Sequence, residues 1–470
     1  MLKAMSAIRD LFQMHDTERQ YGESHSGSND EFRERLFPVY LWAIITVFFV
    51  LNAVSLYLVS PTADLDQAEQ LVLSQSWQFG YTAQPPLYTW MVRGVLCLAK
   101  PGLAPLLAIK VFLLSALAAM LLETGRLFSF TRHQYLITIA SLTFIPQIIW
   151  EGQRDLTHSV LATVLAAATL MQTVRTHRDQ NSLNYILLGL LAGLGLLSKY
   201  NFAVFILCLA LTVLLTSPYR KLALNPRIVL TIVVVVTVFA PHLHWMLDHV
   251  AVVTESAHKL KMESGNHFYG VATAFYRATA FLTPLWILAL LVLTCGIDVN
   301  SDDQRGYGRF MVNLLGVTMI VVALFVLISG AQKIKDRWFQ PLLFFVPVLI
   351  ALYAKPLWSR VRIYCLLSVV VLATVAVALP VRTLFADIFR QTRRPNIPYQ
   401  LQFSRLAKQS GEPAAILAES KLLGGNARSY FGETSILTSD YDVQQITRKG
   451  GLLVLCEEDG CRPDFRNWMQ

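Results

Sequence analysis

The chain has 470 residues, of which 54% are hydrophobic and only 15% are charged, and its mean hydropathy is +0.47. This number of charged residues is too small to form the surface of a soluble protein of this hydrophobicity. The composition therefore excludes a water-soluble globular protein. The net charge of +9 does not predict a nucleic-acid partner, because most basic residues flank apolar segments, where they set membrane orientation and meet anionic lipid.

Apolar stretches recur along the chain at about 20 residues each, the length that a helix needs to cross ~30 Å of hydrocarbon. We therefore predict an all-α polytopic membrane protein with about eleven spans. Polar residues 1–36 contain no apolar core of the signal-peptide kind, so the first span is predicted to stay attached. The predicted spans are 37–59, 102–122, 134–150, 157–173, 183–199, 202–216, 228–246, 276–296, 310–329, 338–354 and 363–381.

Basic residues in the short loops predict the orientation, because positively charged loops stay in the cytoplasm. With residues 1–36 inside, every predicted inner loop carries at least two basic residues, beginning with Arg126 and Arg132. The spans then form a transmembrane domain over 37–385. Residues 386–470 fall on the outer face of the membrane.

The outer segment 386–470 has the pattern of a small α/β domain. Ala414–Glu419 and Gly451–Cys456 are predicted strands, and the stretch after Gly424 is a turn into a predicted helix. Cys456 and Cys461 flank Glu-Glu-Asp-Gly, and an oxidising compartment would allow them to form a disulfide.

The first outer loop opens with acidic residues, in the stretch "ADLDQAEQLVLSQSW". If this stretch is a helix on the membrane surface, Asp66 and Glu69 share a face and Leu71–Leu73 turn toward lipid or core. Asp64 directly precedes the helix, which is typical of an N-cap. The same loop contains Tyr81, Gln84 and Pro85 before the next apolar segment.

A second acid and a group of basic residues lie in other outer connections. Asp155, in "GQRDLTHSVL", is either an N-cap or part of a site with the first loop. Lys333, Lys335 and Arg337 break the positive-inside rule, which an anionic ligand such as a lipid phosphate would explain. Local salt bridges with Asp336 are the alternative.

Two further features are weighed in the same way. Lys199 and Tyr200 lie where two short spans meet, and the lysine either binds a ligand or extends its ammonium to the interface. His242 and His244 are two residues apart, whereas helical zinc ligands are four apart, so no metal site is predicted.

Four of these segments together resemble the GT-C glycosyltransferases related to protein O-mannosyltransferases and the lipid A aminoarabinose transferase, a group similar to glycosyltransferase family 39. The resemblance lies in Asp66-Gln67-Ala68 with Gly80-Tyr81 and Gln84-Pro85-Pro86-Leu87, in "RDLTHSVL", in "LLSKYNF" and in "KDRWFQPLLFFVP". It covers residues 38–360. Gln67 and Gln84 depart from the family pattern, which has an acid and a histidine there.

The resemblance implies an inverting sugar transfer on the outer face, from a polyprenyl-phosphate donor to lipid A, another glycan or a protein. It implies Asp66 as general base and Asp155 as a second catalytic residue. No cofactor is certain, and a role for a divalent cation stays open. The implied substrate-binding residues are Asp64, Glu69, Tyr81, Gln84, Pro85, Lys199, Tyr200, Lys333, Lys335 and Arg337.

Two other classes of membrane protein stay open. A transporter or flippase of lipid-linked glycans would also hold charges near the membrane, but would place them along a path through the spans, where acids are scarce here. A structural membrane protein would not need acidic and basic groups facing one another. Sugar transfer by the purified protein would separate the three.

Overall fold

The computed structural model of the chain describes residues 27–258, 267–293, 302–332, 334–385, 394–411, 413–432, 434–439, 451–457 and 461–469. The chain forms two compact units, Met1–Leu41 and Trp42–Gln470. The contacts reported below all lie within the second unit. Lys333, a predicted phosphate-binding residue, lies outside the described residues.

Helices dominate the described chain, as predicted from its composition. A π-helical turn covers Gln147–Glu151, and 3-10 turns cover Asp336–Phe339 and Arg394–Asn396. The α-helices are α1 (Gly27–Val59), α2 (Leu65–Leu73), α3 (Leu87–Leu96), α4 (Leu103–Leu127), α5 (Arg132–Thr143), α6 (Gly152–Arg154), α7 (His158–Arg178), α8 (Ser182–Leu196), α9 (Phe202–Leu215), α10 (Ser217–Leu224), α11 (Ile228–Asp248), α12 (Val250–His258), α13 (His267–Phe281), α14 (Leu285–Val292), α15 (Asp302–Ser329), α16 (Gln340–Leu343), α17 (Val346–Tyr353), α18 (Trp358–Leu384), α19 (Tyr399–Ser410), α20 (Lys421–Phe431) and α21 (Pro463–Met469).

Each of the predicted spans coincides with helical structure, but the helices differ in length and polarity. Within the described residues, five helices are long and apolar enough to cross a membrane, namely Glu34–Val59, Leu103–Leu127, Ile228–Asp248, Gln304–Ser329 and Trp358–Leu384. The bent pairs α9 with α10 and α13 with α14 raise the number to seven if each pair is one span. The other four predicted spans fall on α5, α7, α8 and the pair α16 and α17.

Helix α7 is buried along most of its length, although it is rich in threonine. Its hydroxyl groups are satisfied within the helix, because Thr163 donates to the carbonyl of Ser159 at 2.7 Å and Thr169 donates to that of Leu165 at 2.7 Å. This bonding four residues back lets a polar side chain lie in a dry interior. The helix therefore serves as the central element of the bundle.

Small residues bring α8 and α11 together, because Gly189 and Gly193 lie four residues apart on one face of α8 and let another helix approach closely. A Cβ at Gly189 would lie 2.6 Å from the carbonyl oxygen of Thr231, and one at Gly193 would lie 2.9 Å from the Cβ of Val238. Both distances are shorter than side chains permit. The two helix backbones are in direct contact only because these positions are glycine.

The predicted inner connections meet at one end of the bundle. Arg175 forms an ion pair with Glu123 across 2.6 Å, and the same carboxylate binds Arg126 at 2.6 Å. In the last turn of the same helix as Arg175, Arg178 donates to the Tyr307 hydroxyl at 2.8 Å. These contacts join loops that the sequence places on a common side of the membrane.

The C-terminal segment contains a parallel sheet of three strands in the order β2-β1-β3, formed by β1 (Ala415–Ala418), β2 (Ser435–Leu437) and β3 (Leu452–Leu455). The two predicted strands correspond to β1 and β3. The sequence analysis missed β2. The predicted disulfide joins Cys456 to Cys461, with a Cα–Cα distance of 4.9 Å.

This sheet shares one hydrophobic core with the first outer loop. Helix α2 and the turn after it contribute Val72, Leu73 and Tyr81 to the cluster. The C-terminal residues of the cluster are Tyr399, Phe403, Ile416, Ala418, Leu423, Ala427, Ile436 and Leu455. The C-terminal segment and the loop that carries Asp66 are thus packed together as one body.

Polar contacts fix α20 to α2 around this core. Both amide atoms of Asn426 bind the backbone of Ala63, with the N–H of Ala63 donating at 2.9 Å and its carbonyl accepting at 3.1 Å. Arg428 donates to the carbonyl of Leu71 and, at 3.1 Å, to the hydroxyl of Ser74. Helix α20 therefore holds both ends of α2.

Replacement of Gly425 by alanine should loosen this contact, because a Cβ there would lie 2.2 Å from the carbonyl oxygen of Ala68. Overpacking of this kind costs about 1–3 kcal/mol. We expect a lower unfolding temperature for G425A in detergent. The matched control is G316A, where a Cβ has nothing within 4 Å. Equal unfolding temperatures for the two variants would show that α20 and α2 separate without cost.

Candidate active site

The acidic helix α2 begins with a capping box at Asp64. The N–H of Leu65 donates to Asp64 Oδ1 at 2.8 Å, and the side chain of Gln67 accepts the N–H of Asp64 at 3.0 Å. The predicted cap is therefore confirmed, and Asp64 is buried, with 8% of its surface exposed. The residues predicted to face lipid or core, Leu71–Leu73, face the core.

The two predicted catalytic acids meet at the start of α2. The backbone N–H of Asp66 donates to Asp155 Oδ1 at 3.1 Å, and Gln67 donates to the carbonyl of Arg154 at 2.9 Å. Burial, together with the charges of Asp66 and Asp64, raises the pKa of Asp155 to about 7. Residues 89 positions apart in the sequence thus form one acidic site.

A buried lysine that the sequence analysis did not single out faces this acid pair. Lys110 lies on α4 with 3% of its surface exposed, and its Nζ has no hydrogen-bond partner among the described residues. The charges of Asp155 and Asp66 act on its ammonium. The available signal was a lone lysine inside an apolar span, because such residues are costly and usually functional.

Lys199 approaches the site from the turn between α8 and α9. Its ammonium donates to the hydroxyl of Ser159 at 2.6 Å. Burial and the charge of Arg337 lower the pKa of Lys199 to about 7, although the charge of Asp66 opposes the shift. The lysine is therefore close enough to both Asp66 and Arg337 to be influenced by their charges.

A polar network that was also missed joins the two sides of the site. Gln70, one turn after Asp66, lies 3.2 Å from His158 Nε2, and the other ring nitrogen of His158 lies 3.2 Å from the carbonyl of Ser198. Thr89 donates to Gln70 Oε1 at 2.8 Å. The helix of Asp66 is thus linked through one histidine to the turn that carries Lys199.

Tyr88 packs against His158 near the two acids. Its ring centroid lies 5.3 Å from that of His158, and the side chain is buried. Burial raises the pKa of the Tyr88 hydroxyl, as do the charges of Asp66 and Asp155. A neutral phenol beside the two acids can donate a hydrogen bond but is not suited to act as a base.

The basic segment before α16 is fixed from two directions. Asp336 forms an ion pair with Arg277 of α13 at 3.1 Å, and Asn201 donates to the carbonyl of Trp338 at 3.0 Å. Asp336, the partner in the alternative of local salt bridges, thus pairs with an arginine from another helix. Arg337 is half-buried and Lys335 is exposed. The contact through Asn201 places this segment beside the Lys199 turn.

Two predicted substrate-binding residues have partners in the contact with the C-terminal segment or within the loop. Glu69 forms an ion pair with Lys421 at 3.1 Å, in the contact between α2 and α20. Tyr81 lies in the hydrophobic core shared with the C-terminal sheet, and its hydroxyl donates to the carbonyl of Ser76 at 2.8 Å. These contacts hold the acidic loop in place.

The other predicted residues surround the loop. Gln84 is half-buried and Pro85 is buried, just before α3. The hydroxyl of Tyr200 lies 3.3 Å from His242 Nε2, and His242 Nδ1 lies 2.7 Å from the carbonyl of Phe79. His242 therefore anchors the first outer loop. In the part of the chain that the structure describes, no three His, Cys, Asp or Glu residues cluster as metal ligands would.

The chain is similar to known membrane glycosyltransferases. The family model of dolichyl-phosphate-mannose-protein mannosyltransferases matches residues 83–245. A lipopolysaccharide core galacturonosyltransferase, RgtB, of Rhizobium johnstonii is 30% identical over 92% of this chain and 90% of its own length. A second, RgtA, from the same organism is 27% identical over 88% of this chain and 85% of its own.

Solved structures show the same fold. Crystal structures of ArnT from Cupriavidus metallidurans, one without ligand and one bound to undecaprenyl phosphate, superpose with TM-scores of 0.57 and 0.55. Each is 15% identical, and the match covers 85% of both chains. The chain therefore belongs to the family of membrane glycosyltransferases with the GT-C fold that includes the lipopolysaccharide core galacturonosyltransferases.

Proposed function

We propose that this glycosyltransferase moves a galacturonosyl residue from a polyprenyl-phosphate carrier to lipopolysaccharide on the periplasmic face of the inner membrane. The observation that carries the proposal is the contact of Asp66 with Asp155, 3.1 Å from N to Oδ1, beside the cations Lys199 and Arg337. The names of the relatives supply the sugar and the acceptor. The ligand of the ArnT structure supplies the type of carrier.

In this mechanism Asp66 takes the proton of the acceptor hydroxyl while that oxygen attacks the anomeric carbon. The bond from the anomeric carbon to the phosphate oxygen breaks, and the electron pair leaves with the carrier phosphate. Attack opposite the leaving group inverts the configuration of that carbon. A positioned base contributes about 10²–10⁴-fold to the rate.

Lys199 and Arg337 would stabilise the charge of the departing phosphate. Their positions are set before the reaction, by the Ser159 hydroxyl for Lys199 and by the Asn201 contact for the segment of Arg337. Preorganised charges of this kind need no rearrangement when negative charge develops. Asp155 would orient α2 through the N–H of Asp66.

The two groups with a pKa near 7 predict a bell-shaped dependence of kcat/KM on pH. Asp155 should gain its charge as the pH rises through about 7, and Lys199 should lose its charge over the same range. The product of the two charged fractions is therefore largest near neutrality. Transfer rates measured from pH 5 to 9 with subsaturating donor test this expectation.

Variants assign the two limbs of the profile. Lys199→Arg should keep the positive charge above pH 8 and flatten the alkaline limb, since arginine does not titrate there. Asp155→Asn should remove the acidic limb. A profile unchanged by both substitutions would show that neither group controls the rate.

The periplasmic location predicts a labelling pattern for introduced cysteines. In a background with Cys97, Cys208, Cys295 and Cys365 replaced by serine, an impermeant thiol reagent should label T82C and Q409C in intact spheroplasts. It should reach L224C only after lysis. Labelling of L224C in intact cells, with T82C protected, would reverse the orientation.

The purified full-length chain in nanodiscs provides the direct test of activity. With polyprenyl-phosphate galacturonic acid and lipopolysaccharide, we expect an acceptor heavier by one uronic acid in mass spectrometry. Donor carrying another sugar is the control for specificity. In a second assay, the protein is reconstituted in liposomes with a fluorescently labelled donor. If this donor crosses the liposome membrane without any sugar transfer, the protein is a flippase instead.

A further inference from the structure

A cavity of about 280 Å³ lies beside the acid pair and takes no part in the mechanism described above. Leucines from three membrane helices line it together with the start of α2. Its lining includes Asp64, Gln67 and Arg154, and Leu379 and Arg382 of α18. The cavity is therefore apolar toward the membrane helices and polar toward the outer loops.

Two arginines give this cavity a cationic wall. Arg154 binds Glu151 through Nη2 at 2.7 Å, but its Nε is buried and has no hydrogen-bond partner among the described residues. Arg382, at the C-terminal end of α18, lines the same cavity. A buried donor without a partner is costly, and an acceptor atom in the cavity would satisfy it.

Two cationic groups from different elements act on the acids of this site. Lys199, in the turn between α8 and α9, is close enough to Asp66 and Arg337 for their charges to act on it. Arg154, whose carbonyl accepts a hydrogen bond from Gln67 of α2 at 2.9 Å, is influenced by the charges of Asp64 and Asp155. A reaction in which only the donor is anionic would need only one of these cationic groups. The second group therefore suggests that the acceptor also carries an anion.

We propose that the cavity between Arg154 and Arg382 binds an anionic group, phosphate or carboxylate, of the acceptor glycolipid. This inference rests on the proposed function, in which the Lys199 side holds the phosphate of the donor. An acceptor bound at Arg154 would bring its sugar hydroxyls toward the neighbouring residue, Asp155, and through it toward Asp66. The base would then lie between donor and acceptor.

The size of the cavity fits a head group rather than a whole lipid. Sites for drug-sized ligands occupy about 300–1,000 Å³, so a cavity of about 280 Å³ holds an anionic group with the adjoining part of a sugar or acyl chain. The leucines provide the apolar contact for that part. Arginine suits the anion because its planar donors match phosphate and carboxylate oxygens.

The test uses the full-length protein in nanodiscs, with steady-state transfer measured against donor and against acceptor concentration separately. Arg382→Gln removes the charge, and Leu379→Phe fills the cavity from the same helix. The matched controls on α18 are Arg360→Gln and Leu366→Phe, since Arg360 and Leu366 are exposed at other positions of that helix.

We expect R382Q to raise the KM for lipopolysaccharide about tenfold or more, as loss of a charged hydrogen bond does, with the KM for donor unchanged. L379F should do the same, and both controls should match the wild type. A raised KM for donor instead would overturn the proposal, as would an unchanged KM for acceptor in both variants. Failure of the wild type to transfer would reject the proposed function itself, which is a different result.

Lipopolysaccharide without its lipid A phosphates identifies the anion. If R382Q no longer differs from wild type on this acceptor, the group bound is a phosphate. If the difference persists, the group is a sugar carboxylate. If the wild type has the same KM for both acceptors and R382Q has no effect on either, no anion of the acceptor binds here.

Discussion

Asp66→Asn should lower the rate of sugar transfer by two orders of magnitude or more, while donor binding survives. Asparagine keeps the shape of the side chain but cannot accept the proton, and loss of a general base costs about 10²–10⁴-fold. The contact with Asp155 should persist, because it uses the backbone N–H of Asp66. Single-turnover kinetics, together with binding of labelled donor to the purified variant, measure the two effects.

The neighbouring Asp64 provides the control. Asparagine is as good an N-cap as aspartate, so Asp64→Asn should cost stability of about 1 kcal/mol or less and slow transfer far less than Asp66→Asn does. A loss of transfer in D64N with activity retained in D66N would make Asp64 the base. If both variants keep wild-type rates, this loop is not the catalytic one.

Arg337→Ala should weaken donor binding as well as slow the transfer step. The guanidinium would meet the carrier phosphate in both the ground state and the transition state, so its removal affects KM and kcat together. Loss of one preorganised charge-stabilising donor costs about 10²–10³-fold, and we expect kcat/KM to fall within that range. Initial rates at varied donor concentration give both constants.

Arg309→Ala is the matched control, because Arg309 is exposed and lies in a predicted inner loop. It should leave both constants at the wild-type value. An Arg337→Ala variant with lower kcat but unchanged donor KM would mean that Arg337 acts only in the transition state. Wild-type constants in R337A would remove it from the phosphate site.

Local sequence patterns predicted the helices and the cap correctly. The box of Asp64 and Gln67 lies within four residues, and the glycines that join α8 to α11 lie on one turn. Patterns of this kind depend on neighbours in the chain. Apolar length alone describes α5 and α7 less well, since both carry polar residues that burial against other helices allows.

The structure of the C-terminal segment was predicted only in part. Its outer strands were predicted from apolar runs, but its packing against α2 was not, because Asn426 and Ala63 are 363 positions apart. Gly425 looked like an ordinary turn residue. Its role in the close contact with Ala68 depends on an element from the other end of the chain.

The sequence by itself determined the membrane class, the acidic loops and the excess of basic residues near Arg337, because hydrophobicity and charge act through composition and through near neighbours. Only the tertiary structure decided which charges meet. Asp66 reaches Asp155, Lys110 faces both, and His158 links the helix of Asp66 to the turn of Lys199. These contacts depend on how the membrane helices pack, and helix packing is set by side-chain shape over the whole bundle rather than by any local pattern.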